Sequence, residues 1–188
     1  MKLQNQQFPC WCIQFENEIV NPKEFIESFI NLRPNSNWVI LGEGVAASEK
    51  QLWSAWISLG RRIKNGSMLS KKADVEFLRL IAGTHQISIA LERTGVRVSD
   101  KIAWIVYLPK WSDQHLLSPT LTEIDWNLRE KEIQKMMLQL NCKPKQLRPH
   151  PTDLGIERLG LNIQKSLTVE EIEMRFLSHV ACSDLNLN

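Results

Sequence analysis

Hydrophobic positions along the chain follow two spacings, which predict strands interleaved with helices. Nearly continuous apolar runs predict strands at Pro9–Phe15, Trp38–Leu41 and Lys101–Leu108. Apolar residues three or four apart predict helices from Pro22 to Ile30 and over Ser48–Lys64, Leu128–Leu140 and Thr168–Ala181. The polar stretches 33–37, 109–122 and 143–151 are predicted to connect these elements. Such interleaving is typical of α/β proteins, so we expect a single-domain mixed sheet with helices packed on it.

The stretch Leu69–Val96 predicts two further helices that meet at Gly83. Ser70 is placed to cap the first helix, and Thr84 to cap the second. The second helix is expected to bury one face, formed by Ile87, Ala90 and Leu91. Core packing accounts for the apolar residues of this pair but gives no role to its polar joint, Gly83–Gln86.

Composition adds little to this picture but limits the classes of function. A length of 188 residues fits one domain over residues 1–188. The formal net charge of +2 neither demands nor excludes a nucleic-acid partner. No apolar run reaches about eighteen residues, and the N-terminal segment lacks the apolar centre of a secretory signal. We therefore expect a cytoplasmic protein with no membrane partner.

The sequence shows no recognisable pairing of a nucleophile with a base and no cluster of metal ligands. The C-x-C pair of Cys10 and Cys12 lies in the first predicted strand, where one side chain is expected to be buried and the other exposed. No second cysteine pair or histidine at zinc spacing follows it. No catalytic residue, metal or cofactor is therefore predicted.

One turn matches a pattern of nucleotide-binding proteins. Gly42 and Gly44 begin a G-x-G-x-x-A sequence between a predicted strand and a predicted helix, where dinucleotide-binding folds hold a pyrophosphate. Glu43 would place a carboxylate beside that phosphate, and the segment Lys71–Phe77 is predicted to be helical instead of forming a second parallel strand. A tight packing turn is the favoured interpretation. The alternative is a dinucleotide- or nucleotide-binding enzyme that uses the Gly42–Gly44 turn.

Basic residues concentrate where the long second helix ends and the next begins: Arg61, Arg62, Lys64, Lys71 and Lys72. Cations at the end of a helix complement its dipole, which is the simpler interpretation. A patch that contacts phosphates is the other. Lys71 and Lys72 stand at a helix start, where their charges oppose the dipole.

The run Leu52–Leu108 resembles the PRPK-binding protein family, the small KEOPS-complex subunit that pairs with the complex's atypical kinase. The most specific part is Asp74–Val96, which reads D-V-E-F-L-x-x-I-x-G-x-x-Q-I-x-x-A-L-x-x-x-G-V. The helix SEKQLWSAWISLGRRIKNG and a short Ser/Lys turn precede this block, and the apolar strand IAWIVYL follows it. Archaeal members often carry a basic residue where His85 stands here.

The resemblance implies a non-catalytic accessory subunit of the complex that attaches a threonylcarbamoyl group to the adenosine beside the tRNA anticodon. It implies three partners: the atypical kinase, other KEOPS subunits through that kinase and, as in archaeal members, the tRNA 3′ CCA end. The tRNA contacts expected on this chain are the basic residues and the joint: Arg61, Arg62, Lys64, Lys71, Lys72, Gly83 and Gln86.

The last predicted helix offers a candidate surface for the kinase. Its expected buried stripe consists of Val169, Ile172, Phe176 and Val180. Met174 and Leu177 lie off that stripe and could form a second apolar edge for a partner helix. The alternative is that both residues simply pack within the domain.

Overall fold

Four strands form one antiparallel sheet in the computed structural model, which describes residues 7–112, 124–162 and 167–185. The strands are β1 (Cys10–Phe15), β2 (Trp38–Gly42), β3 (Ile102–Tyr107) and β4 (Cys142–Lys145). Their order in the sheet is β2-β3-β1-β4. Strand β1 pairs antiparallel with both β3 and β4, and β2 pairs antiparallel with β3. The predicted α/β fold with helices packed on a sheet is confirmed, but the four strands pair only in the antiparallel direction, so the sheet is not the mixed one that was predicted.

Seven helices accompany the sheet in the described ranges: α1 (Pro22–Leu32), α2 (Glu49–Asn65), α3 (Ala73–Ala82), α4 (Ile87–Thr94), α5 (Trp126–Gln139), α6 (Asp153–Leu159) and α7 (Val169–Leu185). Asn21 and Ser48 cap α1 and α2 as their side-chain oxygens accept backbone N–H groups of the first turn. None of the described helices combines the length and the apolar character that crossing a membrane requires.

Side chains alternate between the two faces of each strand, and each face has its own core. Even-numbered residues of β1 and β3, such as Cys12 and Trp104, pack with α2, α3 and α7. Odd-numbered residues, such as Ile13 and Ile105, pack with Phe29 of α1 and with α5. The sheet is therefore a central layer between two helical layers, and α3, α4 and α7 lie on the same side of it.

The expectation that only one of Cys10 and Cys12 is buried was wrong. Residues two apart on a strand point to the same face, and here both are buried. Burial is the main cause that raises the pKa of Cys10 to about 12 and that of Cys12 to about 11. Both thiols are therefore protonated near neutral pH and are poor nucleophiles and metal ligands.

The predicted connection 143–151 contains a strand instead. Residues Cys142–Lys145 form the edge strand β4, which pairs with β1. Pro144 lies opposite Ile13, and an edge strand is where a sheet tolerates a residue without an N–H. The short helix α6 (Asp153–Leu159), which the spacing of apolar residues does not predict, follows it and is capped by Thr152.

Two predicted helix caps were also wrong. Lys72 occupies the N-cap position of α3, and Ser70 accepts a hydrogen bond from the Lys72 N–H (3.2 Å). Gln86 occupies the N-cap position of α4, and Thr84 accepts one from the Gln86 N–H (3.2 Å). Both hydroxyl side chains therefore stabilise the turn before the helix instead of its first residue.

Candidate interface at the joint of helices α3 and α4

The joint between α3 and α4, residues 83–86, is a tight backbone turn. Gly83 ends α3 in the left-handed conformation, with φ at 63°. Its N–H donates to the Leu80 carbonyl (3.2 Å), and the Thr84 N–H donates to the Arg79 carbonyl (3.3 Å). These bonds satisfy carbonyls of the last turn, as in other helices that end on glycine.

Gly83 lies directly beneath the imidazole ring of His179 from α7. A side chain at position 83 would collide with that ring. The His179 Nε2–H donates to the Ala82 carbonyl (2.9 Å). Gly83 was expected to contact tRNA, but the His179 ring occupies the space that a ligand approaching its α-carbon would need.

Arg79 connects the joint to a buried carboxylate. Its guanidinium bonds both carboxylate oxygens of Glu76, at 3.2 Å from Nε and 2.7 Å from Nη2, and both side chains are fully buried. Its Nη1 donates to the Thr84 carbonyl (2.9 Å) and lies 3.4 Å from His85 Nδ1. Burial alone would raise the pKa of Glu76, but hydrogen bonds from Arg79 and the Ser70 N–H, with the nearby Arg62, lower it overall.

A second cation holds the other side of the joint. Arg93 of α4 donates to the Ala82 carbonyl (3.0 Å), so this oxygen accepts from both Arg93 and His179. Burial is the main cause that lowers the pKa of His179; Arg93 also lowers it, while the bond to Ala82 opposes the change. His179 is therefore neutral at physiological pH.

The outer side of the joint faces solvent. His85 and Gln86 are exposed, and the Gln86 side chain makes no capping bond. Ile87 and Leu91, predicted to be buried, are 40% and 47% exposed, and only Ala90 of that predicted face is buried. Because residues four apart share a helix face, Ile87 and Leu91 form one apolar strip beside Gln86. We call Gln86, Ile87 and Leu91 the joint surface.

One of the five residues of the predicted basic cluster is not at the surface. Arg62 is buried, 3.4 Å from Glu76 in an ion pair, and donates to the Ser183 carbonyl of α7 (2.9 Å), so it cannot contact RNA phosphates. The other four residues are exposed: Arg61, Lys64, Lys71 and Lys72. Lys72 begins α3 and Gly83 ends it, so they are roughly 16 Å apart at 1.5 Å per residue. The lysines that precede α3 therefore lie at the end of this helix opposite the joint.

Two acidic residues in the first turn of α3 offset the unfavourable position of Lys71 and Lys72. Asp74 forms an ion pair with Arg33 (2.8 Å). Glu76 accepts a hydrogen bond from the Ser70 N–H (3.0 Å). The helix dipole stabilises carboxylates at the start of a helix. This stabilisation offsets the unfavourable interaction of the dipole with the two exposed lysines.

The Gly42–Gly44 turn is filled by other parts of the chain. A side chain at Gly42 would collide with the Gly95 carbonyl and with the buried ion pair of Arg158 and Asp100, whose Nη1–Oδ1 distance is 2.7 Å. The N–H of Glu43 donates to Asp100 (3.3 Å). Strand β2 runs antiparallel to its neighbour β3. These contacts make the turn a packing site that joins β2 to α6 and to the loop before β3.

Helix α7 has a buried apolar side and, as expected, further apolar residues outside that side. Phe176 and Val180 are buried, whereas Met174 is 58% exposed and Leu177 is half-buried. Val169, predicted to belong to the buried stripe, is 69% exposed. The core-facing side also contributes a polar contact, since the Ser183 hydroxyl lies 3.2 Å from the Leu80 carbonyl of α3.

No family model matches the chain, and no curated protein matches it significantly.

Proposed function

We propose that this protein is a non-catalytic accessory subunit of the KEOPS tRNA-modification complex, acting in the cytoplasm. The proposal rests on the resemblance of Asp74–Val96 to the kinase-binding subunit. The observation that supports it best is the joint surface: an exposed amide and two exposed apolar side chains follow a backbone turn that Arg79, Arg93 and His179 hold in place. A protein gains affinity when its binding surface is ordered beforehand.

The proposed ligand of this surface is the single-stranded CCA end of tRNA. Proteins recognise unpaired RNA by packing against base faces and by hydrogen bonds to base edges. Ile87 and Leu91 offer apolar area for a base face, and the Gln86 amide offers both a donor and an acceptor for a base edge. Arg61, Lys64, Lys71 and Lys72 would contact phosphates farther along the acceptor stem, since they lie at the other end of α3.

Binding of tRNA with and without its CCA end, at two salt concentrations, tests this role. The variant Gln86→Ala should weaken binding of intact tRNA about tenfold, the loss expected for one or two hydrogen bonds. Gln139→Ala, which removes an exposed amide at the end of α5, is the matched control and should change nothing. Equal affinity for both RNAs would remove the CCA assignment.

The lysines provide a separate measurement. Reversing Lys71 and Lys72 to Glu should weaken binding of different tRNAs to a similar degree, because phosphates carry no sequence information. The dependence of log affinity on log salt should also become less steep, by roughly 0.7 to 0.9 for each phosphate that the variant no longer neutralises. Unchanged salt dependence would show that these lysines do not contact tRNA phosphates and serve only to keep the surface hydrated.

We place the kinase contact on the exposed side of α7, at Met174 and Leu177. An apolar edge outside the core stripe is what a partner helix needs. Met174→Asp combined with Leu177→Asp should abolish capture of the cognate kinase in a protein that remains folded, with a lower thermal unfolding temperature because Leu177 is half-buried; Met174→Asp alone, at the exposed position, should weaken capture with little change in that temperature. Leu138→Asp is the control, because Leu138 is 79% exposed on α5. Undiminished kinase capture by a folded double variant would exclude this surface.

A further inference from the structure

An open groove of about 570 Å³ lies at the end of the sheet where β1 begins and β4 ends. Its floor is formed by Cys10, Trp11 and Cys12 of β1. One wall is the segment from Pro144 to Arg148, which consists of the last two residues of the edge strand β4 and the three residues after it. The volume falls within the range of about 300 to 1,000 Å³ typical of ligand sites.

The other wall is one face of α5. Glu130, Gln134 and Met137 line the groove, and they follow the spacing of a single helical face. Trp126 stands four residues before Glu130, so it extends the same face by one turn. The Trp126 ring is 40% exposed and its centroid lies 6.2 Å from that of Trp11.

Trp11 is held in a fixed orientation. Its indole Nε1–H donates to the Glu130 carboxylate (2.7 Å), and its ring packs against the buried Trp38 with centroids 5.5 Å apart. Trp38 in turn packs against Tyr107 (5.1 Å). The groove is therefore bordered by one aromatic ring, that of Trp11, which is fastened to the core and offers a stacking surface that needs little ordering when a ligand binds.

Positive charge concentrates in the same region. Residues 126–150 contain six lysines and arginines and two acidic residues, a net charge of +4 in a chain whose total is +2, although Lys143 is paired with Glu16 outside this range (2.6 Å). Lys145 lines the groove and is exposed, and Lys131 is exposed on the adjacent side of α5. Arg148 also lines it but forms an ion pair with Glu49. Glu130 is the acidic residue of the lining, and its bond to Trp11 partly occupies it.

We propose that this groove binds single-stranded nucleic acid. Bases stack on Trp126 and on the accessible part of Trp11, and the backbone phosphates lie near Lys145 and Lys131. Alternating aromatic faces and cations are the pattern by which proteins hold single strands without sequence preference, because every base has a stacking face. An acidic peptide would match the charge but would leave the aromatic surface unused. This site differs from the joint surface in position and in needing no CCA end.

The test uses the full chain and a fluorescently labelled oligouridylate of about eight nucleotides, a length within the site size of single-strand binders. Oligouridylate contains neither cytosine nor adenine, so it separates this groove from the joint surface. We expect measurable binding that weakens with added salt. Trp126→Ala should reduce the affinity about tenfold, the order expected for one stacked base, and Lys145→Glu should reduce it similarly.

Two controls make the outcome decisive. Lys23→Glu alters an exposed lysine on α1 and has the same charge change as Lys145→Glu; Gln86→Ala disables the joint surface. Both should bind oligouridylate like the original protein. The proposal is overturned if oligouridylate does not bind, if Trp126→Ala binds it with unchanged affinity, if Lys23→Glu weakens binding as much as Lys145→Glu does, or if an oligoglutamate peptide competes as well as unlabelled RNA does.

Discussion

The His179 imidazole lies on the α-carbon of Gly83, in the space that a side chain would fill. Through its bond to the Ala82 carbonyl it also satisfies one of the last carbonyls of α3, which an isolated helix would leave without a partner. The C-terminal helix therefore completes the end of α3 and fixes the joint from behind. Both proposed contact regions, the joint and the outer side of α7, are thus parts of one packed unit.

Replacing Gly83 with Ala should lower the free energy of unfolding by about 2 to 5 kcal/mol. The left-handed conformation costs an L-residue roughly 1 to 2 kcal/mol, and displacing the His179 ring adds an overpacking cost of about 1 to 3 kcal/mol. Gly66 is a matched control, because its φ is also 63° but a Cβ there meets nothing within 4 Å. Urea unfolding of the two variants measures the difference, and equal decreases would contradict the role assigned to His179.

Stability should fall as the pH decreases below about 6.5, the ordinary pKa of histidine. The folded state lowers the pKa of His179, so the unfolded chain binds the proton more readily in that range and is favoured by acid. The decrease begins below the unfolded pKa and is complete below the folded one. His179→Gln keeps an N–H donor but does not titrate, so its unfolding midpoint should depend less on pH. Identical pH dependence for the original protein and the His179 variant would refute this assignment.

Glu76→Gln should destabilise the protein by about 3 to 5 kcal/mol. The change leaves the buried Arg79 and Arg62 without their carboxylate, and removing one partner of a buried ion pair costs that much. The control is Glu173→Gln, which breaks an ion pair with Lys50 whose lysine is 62% exposed; it should cost less than about 1 kcal/mol. Thermal or urea unfolding gives both values, and similar small decreases would show that the buried network is replaceable.

We expect no binding of NAD or ATP at the Gly42–Gly44 turn and no turnover of these compounds or of esters by the isolated chain. The turn is packed against Gly95, Asp100 and Arg158, and the Glu43 N–H that a phosphate would need is already bonded to Asp100. Ligand-detected NMR provides the measurement. Dinucleotide binding that disappears in Gly44→Val would revive the enzyme hypothesis.

The cysteine pair and the edge strand show two different reasons for wrong predictions. For Cys10 and Cys12 the period of two along a strand was sufficient, and applying it correctly predicts a shared face. For Lys143–Lys145 no local pattern was available, because lysines and a proline are poor strand formers by composition. That segment becomes a strand because β1 offers it a free edge for hydrogen bonding.

At the joint, the local sequence predicts where a helix ends but not which residues of the next helix are buried. Gly83 predicts the end of a helix because glycine adopts positive φ without steric cost, and the structure places the break there. The apolar spacing of Ile87, Ala90 and Leu91 predicts that α4 has an apolar side, but not how much of that side finds a partner. In the fold only Ala90 is buried, and Ile87 and Leu91 are left partly exposed.

By itself the sequence determined the order and type of most elements, the α/β class and the glycine break, because those follow from spacing and backbone preference within a few residues. Only the tertiary structure decided which charged groups became internal. Arg62 looked like one member of an exposed basic cluster, yet the approach of α3 and α7 encloses it with Glu76 and the Ser183 carbonyl. The same holds for His179, whose partner is Ala82, far away along the chain. Such contacts depend on how helices pack against one another, and the local hydrophobic pattern carries no information about that arrangement.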